Sequence, residues 1–159
     1  AVLFGTQYYD PALLTEPGAE GLYVEMNTVP FEEADDVPAV RQYLDIYEAT
    51  GAKTAPTALG VQSFSAALMF ATAARNAGSD LTRETLVAEI KKLKDWTGGG
   101  LHYPTEPGTR DRAGCFILVQ VKDGKFTRAF PEKPGTFSCD PKNVVPIKSP
   151  ELNGSDIKW

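Results

Sequence analysis

Apolar residues recur with helical spacing in the middle of the chain and with strand spacing towards its two ends. The strongest helical pattern runs from Ala58 to Asn76. Its apolar positions at spacings of three and four share one face, namely Leu59, Phe64, Ala67, Leu68 and Ala71, and three more lie on the flanks, namely Val61, Met69 and Phe70. Since apolar side chains surround so much of this helix, we expect it to be covered on more than one side.

A second helix is predicted directly after the first. Asn76 and Gly78 are suited to the left-handed conformation that ends a helix, and Thr82 is a good N-cap for the next one, with Leu81 and Leu86 placed as a hydrophobic staple. The apolar positions that follow form a stripe expected to be buried, at Leu86, Val87, Ile90 and Leu93. The two segments together predict a helical hairpin within an α/β core.

Strand patterns occur before and after this hairpin. Val2 to Phe4 is a short apolar run, and Gly21 to Met26 alternates between apolar and polar positions. Cys115 to Val121 is almost continuously apolar, which favours burial on both faces. Asp123-Gly124 then predicts a tight hairpin that leads into a returning strand, Phe126 to Phe130.

The connections carry weaker signals. Ala12 to Thr15 predicts a short helical turn before Pro17-Gly18. Asp36 is predicted to cap a helix that begins at Val37-Pro38 and ends at Gly51. The buried face of that helix is expected at Val40, Tyr43, Leu44 and Tyr47, and the acids at Glu32, Glu33, Asp35 and Asp36 are expected to form a solvated connection.

Composition narrows the classes of function. A chain of 159 residues with 42% hydrophobic residues can bury a core in one or two domains. The net charge of −5 and the absence of a basic stripe argue against nucleic-acid binding. No apolar run is long enough to predict a membrane span. Because the chain begins with Ala1 inside a strand-like run, we expect it to be part of a longer protein, with a processed N-terminus as the alternative.

Few residues suggest catalysis or metal binding. His102, the single histidine, is expected to be a surface or capping residue, since no serine or cysteine elbow and no zinc-type spacing accompanies it. The glycines at 98–100 lack the lysine of a phosphate loop and are expected to allow a turn or a close backbone approach. Cys115 and Cys139 fit either one disulfide in a secreted protein or two separate buried thiols.

A polar loop follows the first strand, from Gly5 to Pro11. Amide, hydroxyl and aromatic groups are crowded there, at the carboxyl end of a strand, where open α/β sheets bind ligands. An ordinary turn is the alternative.

The order of these segments resembles a known family. The stretches AEGLYV, ALGVQSFSAALMFATAARNAGS, TRETLVAEIKKLKDWTGGGLHYP and GCFILVQVKDGKFTRA follow one another as in the C-terminal part of the type I periplasmic binding protein-like fold. They are most similar to the branched-chain amino acid (Leu/Ile/Val) substrate-binding proteins of ABC transporters. The resemblance covers residues 1 to about 130.

The resemblance implies an α/β fold with two three-layer α/β/α lobes joined by crossovers. Residues 1–53 would belong to the second lobe, 54–97 would form a helix pair returning to the first lobe, 98–130 would complete the second lobe, and 131–159 would be a Pro-rich tail. The broad apolar surface of the first helix would then pack against a first-lobe sheet. The partner of this chain would be a missing N-terminal lobe, with self-association as the alternative.

The resemblance also implies a function. The expected protein is a periplasmic or extracellular solute-binding protein that delivers a small polar ligand such as an amino acid to an ABC permease, with no cofactor and no catalysis. A lipid anchor at the missing N-terminus is one expected form of attachment. Gln7 and its neighbour Tyr8 stand where the family meets the ligand's ammonium group, although Gln7 departs from the acid typical of amino-acid binders. Export would favour a Cys115–Cys139 disulfide. Alternatives are the sensory domain of a receptor or regulator and an α/β enzyme whose catalytic half is absent.

Overall fold

Four strands form one sheet in the computed structural model, which describes residues 1–109 and 114–145. They are β1 (Leu3–Phe4), β2 (Tyr23–Met26), β3 (Ile117–Lys122) and β4 (Lys125–Phe130). The strand order is β1-β2-β3-β4, with β1 parallel to β2 and the other pairs antiparallel. The predicted α/β class and the strand positions are therefore confirmed, although β1 begins one residue later than Val2.

The sheet buries one face. Val24 and Met26 of β2 are fully buried beside Ile117, Val119 and Val121 of β3, as the alternation of β2 predicted. The expectation that β3 is buried on both faces is wrong, because the intervening residues are only half-buried. Between β3 and β4, Asp123 and Gly124 both have positive φ, 52° and 68°, as a two-residue Asp-Gly turn requires.

The described residues between β2 and β3 form three α-helices, namely α1 (Pro38–Ala49), α2 (Ala58–Ala77) and α3 (Arg83–Lys92). Thr57 caps α2 and Thr82 caps α3, each through its side-chain oxygen, and Gly78 ends α2 at a φ of 63°. The predicted cap of α1 is wrong: Val37 holds that position without a side-chain hydrogen bond, while Pro38 occupies the first turn. Short 3₁₀ turns span Thr6–Tyr8, Pro11–Thr15, Phe31–Glu33 and Pro141–Asn143.

The buried face of α2 differs from the predicted one. Its buried residues are Ala58, Val61, Ser65 and Ala73, whereas Leu59 is 59% exposed and Phe70 is 54% exposed. No residue of α3 is fully buried, and Val87 in its predicted stripe is 41% exposed. A helix that is apolar nearly all round has no polar face to mark its orientation, so tertiary contacts select the side that is covered.

Two clusters of buried side chains make up the core of the described chain. One lies on the sheet and includes Val24, Met26 and Val119. The other joins α1 to α2 through Val40, Tyr43, Val61 and Leu101, so α1 packs with the helix that follows it across the predicted boundary at residues 53 and 54. Phe31 and Phe137 contact both clusters. The division into lobe segments stays a prediction.

One acidic side chain of the predicted solvated connection is buried. Glu33 is 6% exposed and pairs with Arg128 of β4, with 2.5 Å between Glu33 Oε1 and Arg128 Nε. Asp35, by contrast, is exposed beside Arg41. The acidic run is therefore only partly solvated, because a distant arginine compensates the buried carboxylate.

A disulfide joins Cys115 to Cys139, as the resemblance predicted. Phe116 and Ser138 exchange two backbone hydrogen bonds beside it, and the Asn143 side chain donates to the Gly114 carbonyl at 2.8 Å. These contacts hold the first part of the Pro-rich tail against the start of β3. The rest of the predicted tail, residues 146–159, lies outside the described residues. None of the helices described is long and apolar enough to span a bilayer.

Candidate ligand-binding site

A small cleft of about 130 Å³ lies between the loop after β1 and the amino end of α2. Residues 6–10, called the cleft loop below, form one wall, and the first residues of α2 with their cap form the other. The lining residues are Thr6, Gln7, Tyr9, Asp10, Thr57, Ala58 and Leu59. The cleft is therefore at the carboxyl end of β1, where the sequence predicted a ligand-binding loop.

The cleft loop takes its shape from local contacts. Its 3₁₀ turn is closed by hydrogen bonds from Tyr8 N to Gly5 O and from Tyr9 N to Thr6 O, each 3.0 Å. A Cβ atom at Gly5 would lie 2.9 Å from Gln7 Oε1, so a residue with a side chain there would displace the amide of Gln7. The Thr6 hydroxyl donates to the Glu25 carbonyl at 2.9 Å, which attaches the loop to β2.

The two predicted ligand-binding residues are placed differently. Gln7 is exposed and lines the cleft, with its amide group able to donate and accept hydrogen bonds. Tyr8 is 45% exposed and packs against Phe4, with 4.5 Å between ring centroids, but it is not part of the cleft lining. The structure therefore brings Gln7 to the cleft and leaves Tyr8 beside it.

Tyr9 is a lining residue that the sequence did not single out. It is 5% exposed, and its hydroxyl donates to Glu32 Oε2 at 2.5 Å and accepts from the Phe31 backbone N–H at 2.6 Å. Burial and the nearby charge of Glu32 raise the pKa of Tyr9, so the phenol stays protonated. Burial also raises the pKa of Glu32. No local pattern marks this contact, because its partners are more than twenty residues apart.

Asp10 and Thr57 are further residues that the sequence did not single out. The Asp10 carboxylate caps the next 3₁₀ turn by accepting from Ala12 N at 2.8 Å. The Thr57 side chain accepts from Gly60 N at 3.1 Å, so the positive end of the α2 dipole lies at the cleft. An amide, a carboxylate and a helix amino end therefore border one small space, which can hold a polar solute by hydrogen bonds. The described residues contain no cluster suited to a metal ion.

His102 lies at a second, larger cavity of about 200 Å³. The prediction that it is a surface or capping residue is therefore wrong. Its Nε2 is 2.7 Å from the Ser65 hydroxyl and its Nδ1 is 2.7 Å from the Tyr103 carbonyl. Trp96 also donates to Ser65 Oγ, at 2.9 Å. Burial lowers the pKa of His102. The imidazole thus joins the segment after α3 to the middle of α2.

Gly98 shows why glycine is needed in this segment. Its φ is 62°, and a Cβ atom there would lie 2.6 Å from Ser65 Oγ. The predicted close approach of the backbone at residues 98–100 is therefore confirmed at Gly98.

The order of these elements, with the cleft loop after the first strand and helices inserted before the final hairpin, can be compared with known proteins. A family model described as periplasmic binding protein matches residues 1–125. The chain belongs to the periplasmic binding protein family. This membership confirms the α/β fold class that the sequence predicted and the resemblance to periplasmic binding proteins.

A solved structure supports the same fold for this periplasmic binding protein chain. The chain is similar to the solved structure of the leucine-binding protein LivK from Thermotoga maritima MSB8, with a TM-score of 0.60 and 23% sequence identity. The match covers 89% of this chain and 38% of the LivK chain. The chain therefore spans well under half the length of that protein. No curated protein sequence matches the chain.

Proposed function

We propose that this chain is part of an extracytoplasmic solute-binding protein, and that the cleft beside Gln7 captures a small polar ligand, such as an amino acid, for an ABC importer. The observation that carries this proposal is the exposed amide of Gln7 at the carboxyl end of β1, facing the amino end of α2 across the cleft. The similarity to a leucine-binding protein supports an amino acid as the first ligand to test.

The chemistry of the cleft suits a small solute that carries both hydrogen-bond donors and acceptors. The Gln7 amide can meet either kind of group. The amino end of α2 favours an anionic oxygen, because helix N-termini carry partial positive charge. The carboxylate of Asp10 lies on the opposite wall and favours a cationic group. A zwitterion such as an α-amino acid presents one group of each sign.

The cleft alone is too small to enclose such a ligand, so the proposal requires a second lobe. A space of about 130 Å³ is below the usual range of ligand pockets, and this chain spans 38% of the LivK chain. The exposed apolar side chains of α2 and α3, namely Leu59, Phe70 and Val87, are the surface that we propose a first lobe covers. Self-association of the chain is the alternative cover.

An oxidising location agrees with this proposal. Disulfides persist in exported proteins and are rare in the cytosol, and Cys115 is bonded to Cys139. We propose a periplasmic or extracellular location, a permease as the partner, binding rather than catalysis, and no cofactor. Attachment by a lipid anchor is part of the same proposal.

The test is a titration with Gln7→Ala. A thermal-shift screen of the complete protein as the cell makes it, with L-leucine first and then other amino acids, small amides and aromatic acids, identifies the solute for calorimetry. Removal of a side chain that hydrogen-bonds a buried solute costs about 1–3 kcal/mol, so we expect binding to weaken by about ten- to a hundredfold with the melting temperature of the free protein nearly unchanged.

Two further variants test how far the solute extends over the loop and provide a control. Tyr8→Ala is predicted to weaken binding to the same degree if the solute extends beyond the cleft over the loop, and to leave binding unchanged if the solute is confined to the cleft. Gln62→Ala is the matched control, because Gln62 is an exposed glutamine that bonds Asn27 outside the cleft. Parent-like binding by Gln7→Ala would show that the cleft loop does not contact the solute.

A further inference from the structure

Tyr9 is both a wall of the cleft and a buried anchor. It lines the cleft, yet its side chain points into the core, where the ring packs on Phe31 and Phe126 with centroid distances of 5.3 and 4.6 Å. Its hydroxyl makes two short hydrogen bonds to the 3₁₀ turn Phe31–Glu33, donating to the Glu32 carboxylate and accepting from the Phe31 N–H. The residue therefore connects the cleft to a segment more than twenty positions away.

The cleft loop has few other attachments to the rest of the described chain. Its backbone hydrogen bonds are local, running from Tyr8 to Gly5, from Tyr9 to Thr6 and from Asp10 to Tyr8. Local bonds set the shape of a loop but not its position. Among the described residues, the side-chain hydrogen bonds that reach distant segments come from Thr6, which donates to the Glu25 carbonyl, and from Tyr9.

The turn that receives Tyr9 is itself held firmly. Glu33 accepts from Arg128 and from the Gly135 backbone N–H at 2.8 Å. Phe31 stacks on Tyr43 of α1, with 5.8 Å between centroids. A group bonded to this turn is therefore fixed relative to both core clusters.

We propose that the Tyr9 hydroxyl, through Glu32 and the Phe31 N–H, is a positioning group that holds Gln7 at the distance from the α2 amino end at which a solute can bind. The inference rests on the proposed function only in assuming that Gln7 contacts the solute. Tyr9 itself acts through the loop, since the partners of its hydroxyl, Glu32 and Phe31, do not line the cleft.

Conservative variants separate the hydroxyl from the ring. Tyr9→Phe keeps the packing on Phe31 and Phe126 but leaves the Phe31 N–H without its acceptor and Glu32 without its donor. Glu32→Ala removes the partner on the other side. Glu32→Gln keeps an oxygen that can accept from Tyr9, so it is the variant in which positioning should be retained.

The experiment measures the local opening of the cleft loop and the affinity for the solute separately. Amide hydrogen exchange is followed at Tyr8, Tyr9 and Asp10 and, for comparison, in β3 of the complete protein. Because an unpaired buried donor destabilises the closed loop, we expect about tenfold faster exchange at the loop amides in Tyr9→Phe and Glu32→Ala, with β3 unchanged. Calorimetry with L-leucine, or with another solute that the screen identifies, is expected to show about tenfold weaker binding in the same two variants and parent-like binding in Glu32→Gln.

Val40→Ala is the control for a merely structural effect, because Val40 is buried in the α1–α2 cluster and does not line the cleft. It should lower the melting temperature without changing loop exchange or affinity. Unchanged loop exchange in Tyr9→Phe, or an equal increase in Val40→Ala, would overturn the positioning role.

Failure of the proposed function gives a different pattern. If no solute in the screen binds the parent, the binding role is wrong and there is no solute site for Tyr9 to position, so the inference is overturned with it even where the loop exchanges faster. If Tyr9→Phe speeds loop exchange but binds as tightly as the parent while Gln7→Ala binds weakly, the binding role stands and the positioning role is wrong.

Discussion

Replacement of Arg128 by methionine should be among the most destabilising single changes outside the apolar core. Arg128 and Glu33 each have side chains only 8% exposed. The guanidinium donates to both carboxylate oxygens of Glu33, at 2.5 and 2.8 Å, and to the backbone carbonyls of Pro131 and Thr136, each at 3.0 Å. Arg128→Met would fill similar space but leave a buried carboxylate and two carbonyls without these donors.

The expected cost follows from that loss. Removal of one partner from a buried ion pair costs about 3–5 kcal/mol, since the remaining charge is uncompensated. With a urea m-value of about 2 kcal/mol per molar, the midpoint of urea unfolding should fall by about 1.5–2.5 M. The double variant Glu33→Met with Arg128→Met removes both charges, so its cost should be below the sum of the two single changes by about 2 kcal/mol or more.

Urea unfolding followed by circular dichroism measures all of these variants. Arg41→Met is the matched control, because Arg41 pairs with Asp35 at the surface, where the side chains are 49% and 92% exposed, and such pairs contribute about 1 kcal/mol or less. If Arg128→Met lowered the midpoint no more than Arg41→Met, the buried pair would not stabilise the fold as argued.

Two further predictions concern pH and redox state. Burial lowers the pKa of His102 below its usual value of 6.5, so the stability that this group contributes is fully present above pH 6.5 and is lost as the pH falls through the lower folded-state pKa. Melting temperatures measured from pH 7 to pH 4 should therefore fall less steeply in His102→Gln than in the parent. Equal slopes in the two proteins would contradict this role. The Cys115–Cys139 disulfide has a sequence separation of 24, and its reduction, or Cys139→Ser, should lower the free energy of unfolding by about 3.5 kcal/mol through chain entropy. Unfolding curves recorded with and without reductant measure this difference. Superimposable curves would contradict the prediction.

Much of the fold could be predicted because its signals are local. The Asp123-Gly124 turn needs only two adjacent residues that accept positive φ, and both have it. Thr82 caps α3 through the next turn of the same helix. The alternation of β2 is visible because polar positions separate Val24 from Met26. In each case the residues that determine the structure are neighbours in sequence.

What could not be predicted depends on distant contacts or on missing contrast. The less buried side of β3 begins with the apolar Leu118, inside the apolar run 116–119, so only Gln120 and Lys122 mark that side in the sequence. The sequence around His102 does not show its hydrogen bond to Ser65, because Ser65 lies 37 residues earlier. The sequence around Glu33 does not show its ion pair with Arg128, because Arg128 lies 95 residues later.

The candidate site divides in the same way. The loop that carries Gln7 could be located from its place after a strand, because that place determines the end of the sheet to which the loop belongs, whereas Gln7 itself is singled out by the family resemblance. Tyr9 and Thr57 could not be found, since their roles depend on Glu32 and on the position of the α2 amino end.

The pairing of β2 with β3 has a consequence for synthesis on the ribosome. Met26 ends β2 and its partner Ile117 begins β3, with α1, α2 and α3 in between. At roughly 5–20 residues per second, translation needs on the order of 5 to 20 seconds to cross that interval. During this time the nascent chain presents Val24 and Met26 beside an unpaired strand edge, which is a surface prone to aggregation. We therefore expect the growing polypeptide to depend on a chaperone until the β3–β4 hairpin has left the exit tunnel.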